Sequence, residues 1–216
     1  MLRSAKSLLG YKLHESDALV GEVHDLYFDD KRWDVRHLVA KLGGFWRGRK
    51  VLVAPSLLGK VDPVAQMLLV QQTAEQVRRD PESGADKPVY QQFQEQSREY
   101  YQWVAHWTPF SGAPEPRWEF VFTGDSHLRS VRHLIGYTLK AQGEVVGHLA
   151  DFLVEDDGWH IPQIVVDTKN DLGDKQVVLP VDQIQTFLWE ERVITLGVDR
   201  AAIMNAPEYQ PARPGK

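Results

Sequence analysis

The sequence contains no cysteine. That absence excludes disulfides, thiolate zinc sites and cysteine nucleophiles together. No stretch reaches the roughly 18 to 20 continuous apolar residues of a membrane helix, and the opening MLRSAKSLLGYKLHE has basic residues without the apolar core of an export signal. A soluble, unexported, cytoplasmic chain with no membrane span is expected. Positive charge is not in excess: 25 Lys and Arg against 30 Asp and Glu leave a net charge of -5. The electrostatic footprint of a general nucleic-acid binder is therefore missing. Catalytic signatures are missing too. There is no Gly-x-Ser-x-Gly, Gly-x4-Gly-Lys-Ser/Thr, Gly-x-Gly-x-x-Gly or His-Glu-x-x-His, since His14-Glu15 is followed by Ser16-Asp17-Ala18. The eight histidines are scattered rather than spaced as metal ligands. No enzymatic activity, metal or cofactor is expected.

What is present is an ordinary globular balance, 43% hydrophobic and 25% charged over 216 residues, enough for one or two domains. The chain divides by duplication. LRSAKSLLGYKL, starting at Leu2, returns as LRSVRHLIGYTL, starting at Leu128, an offset of 126 positions. The offset persists: Gly10, Tyr11, Val20, Gly21, Asp25, Trp33 and Val39 meet Gly136, Tyr137, Val146, Gly147, Asp151, Trp159 and Val165. A unit repeated only twice at so long a period fits two small domains better than a solenoid. The boundaries are 1–84 for copy one, 85–124 for a linker and 125–211 for copy two, each copy expected to fold independently.

Within each copy the signals are those of short strands. Val20 to Phe28 and Val146 to Val154 are rich in β-branched and aromatic residues, and each ends at an acidic turn before Trp33 or Trp159 restarts an apolar run. Their two-residue alternation breaks at His24-Asp25 and Ala150-Asp151, as a β-bulge would cause. Further strands are predicted at Val35 to Leu42, Lys50 to Ala54 and Met67 to Val70, with counterparts at Ile161 to Thr168, Gln176 to Leu179 and Val193 to Leu196. Thr73 with Gln76, and Asp199, mark the starts of short closing helices.

The ordered set from Gly10-Tyr11 through Val20-Gly21 to Asp25, with Gly136-Tyr137, Val146-Gly147 and Asp151 in the second copy, resembles the PRC-barrel family over residues 2 to 82 and 128 to 209. The resemblance implies a mainly β fold, two tandem small β-barrels joined by a helix. They would be akin to the cytoplasmic domain of the photosynthetic reaction-centre H subunit and to the C-terminal domain of a ribosome-maturation factor. It implies an adaptor-like habit and supplies no catalytic residues.

Asp25 and Asp151 stand beside the bulges, where a carboxylate is out of character for a strand. They are read as structural acceptors of backbone N–H groups, the other reading being a ligand-facing acid. Gly21 and Gly147 are read as permitting a close strand crossing. The copies differ most in the loop before the Val-Leu-Val-x-Pro strand. Copy one carries Phe45, Trp46, Arg47 and Arg49 there, an interface-like composition, whereas the equivalent loop of copy two is net negative. In the linker, ~100° per residue places Tyr90, Phe93, Tyr100, Tyr101, Trp103, Val104 and Trp107 on one face of an amphipathic helix. That face either covers the barrels or receives a partner. Tyr100, Trp103 and Trp107, with the copy-one loop, are the candidate partner-binding residues.

The expected function is a non-enzymatic adaptor or assembly module working with an unidentified protein partner, a homodimer being the runner-up use of the aromatic stripe. The alternatives are a small-ligand or ion-binding module at the cleft between the copies near Asp25 and Asp151, or an RNA- or ribosome-associated factor, against which the negative charge counts.

Overall fold

In the strand that carries Asp25, Val20, Val23, Leu26 and Phe28 enter the main core, while Tyr27 joins a smaller cluster with Val39, Leu52 and Leu128. The step from 23 to 26 is bridged by a bulge between Val23 and Asp25, and a second lies between Leu149 and Asp151. Both fall where the alternation breaks. The computed structural model describes residues 1–43, 48–96, 98, 124–169 and 175–211.

The first copy runs β1 (Leu2–Ser4), α1 (Ala5–Leu8), β2 (Lys12–Glu15), β3 (Ala18–Asp29), β4 (Val35–Leu42), β5 (Lys50–Val53), β6 (Leu58–Asp62), β7 (Met67–Val70) and α2 (Ala74–Arg79). Residues 89–96 form α3. The second copy repeats the order with β8 (Leu128–Ser130), α4 (Val131–Leu134), β9 (Thr138–Ala141), β10 (Glu144–Glu155), β11 (Gln163–Asp167), β12 (Gln176–Pro180), β13 (Ile184–Leu188), β14 (Val193–Leu196) and α5 (Arg200–Met204). The protein is mainly β. Its sheets follow the orders β5-β4-β3-β2-β7-β6 and β12-β11-β10-β9-β14-β13, each mixed because β2/β7 and β9/β14 are parallel. Among the described residues β5 does not pair with β6, nor β12 with β13, so each sheet stays open along that line where a closed barrel was expected.

Each sheet gains its seventh strand from the other copy. β1 pairs with β10 through Leu2–Glu155, Arg3–Val154 and Ser4–Leu153, and β8 pairs with β3 through Leu128–Asp29, Arg129–Phe28 and Ser130–Tyr27. The sequence boundaries thus follow similarity, whereas the hydrogen bonds cross them. Packing crosses them as well. One apolar cluster runs from Ala5 to Ile203, and the Phe28 and Phe152 rings meet at 5.1 Å.

The acidic turns meet on the pseudo-twofold axis. Trp33 and Trp159, which precede the returning strands, sit at φ 61° and 54°, in the left-handed region that bulky residues rarely occupy. This conformation turns their carbonyls toward the opposite copy, where the Val35 N–H donates to Trp159 (2.8 Å) and the Ile161 N–H to Trp33 (2.7 Å). Trp33 stacks on Phe28 and Trp159 is buried.

Local helix signals act as anticipated. Thr73 and Gln76 form a reciprocal capping box on α2, and Asp199 caps α5 by accepting from the Ala202 N–H at 2.7 Å. Helix α3 bridges the copies: Gln91 donates to the Tyr27 hydroxyl at 3.0 Å, Tyr90 stacks on His133 at 3.9 Å, and Phe93 meets Trp189 edge-on at 4.5 Å. The buried Gln92 amide ties both ends of the linker, donating to the Lys87 and Asp125 carbonyls and accepting from the Gly124 N–H. Tyr100, Tyr101, Trp103, Val104 and Trp107 lie outside the described residues.

Candidate functional site

A bulge adds a residue to one strand and re-aims the next side chain, and here it turns Asp25 and Asp151 toward the seam between the copies. Asp25 Oδ1 accepts from the Leu26 N–H (2.8 Å) and the Arg132 N–H (3.0 Å), and Oδ2 accepts from the Ser130 hydroxyl (2.6 Å). Ser130 also caps α4 by accepting from the His133 N–H at 3.0 Å. Asp151 repeats the arrangement with the Phe152 and Lys6 N–H groups and the Ser4 hydroxyl, and Ser4 caps α1. Each carboxylate thus holds the strand–helix corner of the other copy. Burial pushes both carboxyl groups above the usual range, against the opposing pull of these donors.

Ion pairs repeat the same two-fold relation. Arg129 reaches Asp30 at 2.6 Å, and Arg3 reaches Asp156 at 2.5 Å. On the axis itself Asp34 and His160, equivalent positions of the two copies, face each other at 2.9 Å.

Gly21 and Gly147 stand where β3 and β10 pass closest to the chain leaving β4 and β11. A Cβ would lie 2.5 Å from the Lys41 carbonyl oxygen at Gly21 and 2.2 Å from that of Asp167 at Gly147, closer than any side chain tolerates. Of the anticipated partner-binding residues only Arg49 is described, its Nε 3.2 Å from a Glu82 carboxylate. Phe45, Trp46, Arg47, Tyr100, Trp103 and Trp107 lie outside the described residues.

Beside the Asp25 clasp opens a cleft of about 290 Å³ whose walls come from copy one, α3 and copy two. His24, Lys50 and Ser83 line one side, and Arg132 lines the other. The Arg132 guanidinium lies 3.3 Å from His24 Nδ1. Because a guanidinium can only donate, that nitrogen is the acceptor and the imidazole is neutral. Burial, then the nearby Lys50 and Arg132 charges, lower the His24 pKa to about 4. Sequence reading set its ligand-binding alternative at a cleft between the copies near Asp25 and Asp151, and what it missed is the lining by His24, Lys50, Ser83 and Arg132. The signal was available as departures from the repeat: His24 faces Ala150, Lys50 faces Gln176 and Ser83 faces Tyr209 at the common offset. Among the described residues no group of three His, Asp or Glu side chains is placed to hold a metal. No helix among them is long and apolar enough to cross a membrane.

Paired mixed sheets of short, bulged strands, each closed off by a short helix, define a small β module present twice. By comparison, residues 3–77 match the family model of the PRC-barrel domain. That match covers the first copy, and the second copy carries the same strand order in its own sheet. No curated protein matches the chain.

Proposed function

We propose that the protein is a non-enzymatic adaptor, a fused pair of PRC-barrel-type modules that holds a protein partner in a fixed relation to both copies. The observation that supports this most is β13. It lies at the end of its sheet, pairs only with β14 among the described residues, and carries no charged side chain across Ile184–Leu188. An edge strand without charge accepts an added strand from another chain. Its counterpart β6 carries Lys60 and Asp62, the usual protection of an edge. The copy-one loop with Phe45, Trp46, Arg47 and Arg49, and the linker aromatics Tyr100, Trp103 and Trp107, supply further contacts in this reading.

The test is affinity purification of the tagged full chain from its native source, followed by mass spectrometry, beside two variants. Thr186→Lys charges the β13 edge, and the other variant replaces Phe45 and Trp46 with Ser. A protein recovered reproducibly with the wild type and lost with either variant supports the proposal. Recovery of no partner, or of one retained by both variants, overturns it.

A further inference from the structure

Duplication makes copy two an internal control for the cleft in copy one. The backbones correspond at its rim: the Ser83 N–H donates to the Lys50 carbonyl at 3.0 Å, and the Tyr209 N–H donates to the Gln176 carbonyl at 2.8 Å. The bridges Val51–Glu82 and Val177–Glu208 sit one residue away in each copy. Side chains at these matched positions differ in a directed way. In copy two the half-buried Tyr209 stands near Ser4 and Asp151. In copy one Tyr90 of α3 lines the cleft with the equivalent Ser130, and the tail position shrinks to Ser83. The tail position that carries an aromatic ring in one copy carries a small hydroxyl residue, lining an open cleft, in the other.

The opened space is also charged. Lys50 replaces a neutral Gln176, and Arg132 stands across from it where copy two has Lys6. Neither Lys50 nor Arg132 makes an ion pair with a described carboxylate. Asp25, the carboxylate in the wall, has both oxygens committed to Leu26, Arg132 and Ser130. His24 is neutral and contributes no charge. Two cations thus face a cavity lined also by the Ser83, Ser130, Tyr27 and Tyr90 hydroxyls, the Gln91 amide and two histidines, with the Asp25 carboxylate turned to its own donors in the wall.

We propose that this cleft binds a small organic phosphate monoester, with Lys50 and Arg132 on the phosphate and Ser83 and Gln91 toward a hydroxylated body. Two cations match the roughly -1.5 to -2 charge of a monoester at neutral pH, and arginine suits the phosphate geometry. About 290 Å³ exceeds what a bare phosphate needs and lies near the lower end, roughly 300 Å³, of pockets for organic ligands. A phosphorylated pentose is the size that fits. This site is independent of the partner surface proposed for β13.

The experiment is isothermal titration of the full chain with ribose 5-phosphate, inorganic phosphate and ribose, repeated on Lys50→Gln and Ser83→Tyr. Both substitutions install the residue that copy two already carries at the matched position, and thermal melts check that each variant is folded. The expected result is saturable binding of ribose 5-phosphate, weaker binding of inorganic phosphate and none of ribose. Lys50→Gln should weaken binding about tenfold or more, in keeping with loss of a charge-assisted contact, and Ser83→Tyr should abolish it. The proposal is overturned by ribose binding as well as its phosphate, by equal affinity for inorganic phosphate, by no saturable binding, or by affinity unchanged in Lys50→Gln. The last criterion stands even if Ser83→Tyr does not fold.

Discussion

At the scale of single residues the seam is a set of matched polar pairs, and its worth can be measured. Removing an acceptor that serves buried donors costs roughly 1–3 kcal/mol, so Asp25→Ala should lower the unfolding free energy read from urea titration by that amount. Ser130 lies 105 positions away and belongs to the other copy. A double-mutant cycle of Asp25→Ala with Ser130→Ala should return a coupling of about 0.5–3 kcal/mol; additive effects would mean that the clasp contributes nothing across the seam. His24 gives a pH signature. Its pKa is lowered to about 4 in the folded chain, against about 6.5 when unfolded. Between these values the unfolded chain binds the extra proton, so this contribution to stability is present above about pH 6.5 and is lost as pH falls toward 4. Chemical-denaturation midpoints at pH 7.5 and 5 should therefore drop more steeply for the wild type than for His24→Gln.

At the scale of elements, the exchanged strands are the least legible feature. Leu2–Ser4 and Leu128–Ser130 stand out in the sequence as the start of the duplication, yet nothing local says that each joins the other copy's sheet. Three residues are too few to show a period, and pairing partners are set by tertiary packing. Longer elements were easier. β3 and β10 show their breaks at Asp25 and Asp151 because a bulge disturbs alternation over a long strand. Trp33 and Trp159 mark the restart of an apolar run in the sequence, but their left-handed backbone was not legible, because the φ of a turn residue is decided by what its carbonyl must reach. Deleting residues 1–4 tests the exchange. It removes β1, the Arg3–Asp156 ion pair and the Ser4 hydroxyl on Asp151. Hydrogen exchange should then show loss of protection in β10 around Leu153–Glu155 while β3, still paired with β8, keeps its protection at Tyr27–Asp29. Equal loss in both strands would mean that the two exchanges are one cooperative unit.

For the whole molecule, the exchange makes the chain resemble a dimer of modules joined by a linker. The strand triplets are identical, Leu-Arg-Ser in both copies, so β1 of a fragment 1–84 can dock on β3 of a second such fragment, with Asp25 and Asp30 ready for Ser4 and Arg3. The axis opposes self-pairing. There, Asp34 would face Asp34 in one homodimer and His160 would face His160 in the other, whereas the native pair is Asp34 with His160. Fragments 1–84 and 125–211 mixed in equal amounts should therefore form a one-to-one complex in native mass spectrometry in preference to either homodimer. Two fragments that remain folded monomers would show that each copy is complete without the other's strand.

The duplication, the mainly β character, the bulges and the helix caps could all be read from the sequence, because each depends on near neighbours or on matching one copy to the other. Asp25 and Asp151 were visible as misplaced carboxylates, though their partners were not. The exchanged strands, the Ser–Asp clasps, the Asp34–His160 contact and the basic lining of the cleft near Asp25 required the tertiary structure. They join residues far apart in sequence, and the identical Leu-Arg-Ser triplets fit either sheet. Shared packing around the pseudo-twofold axis decides which sheet each one joins.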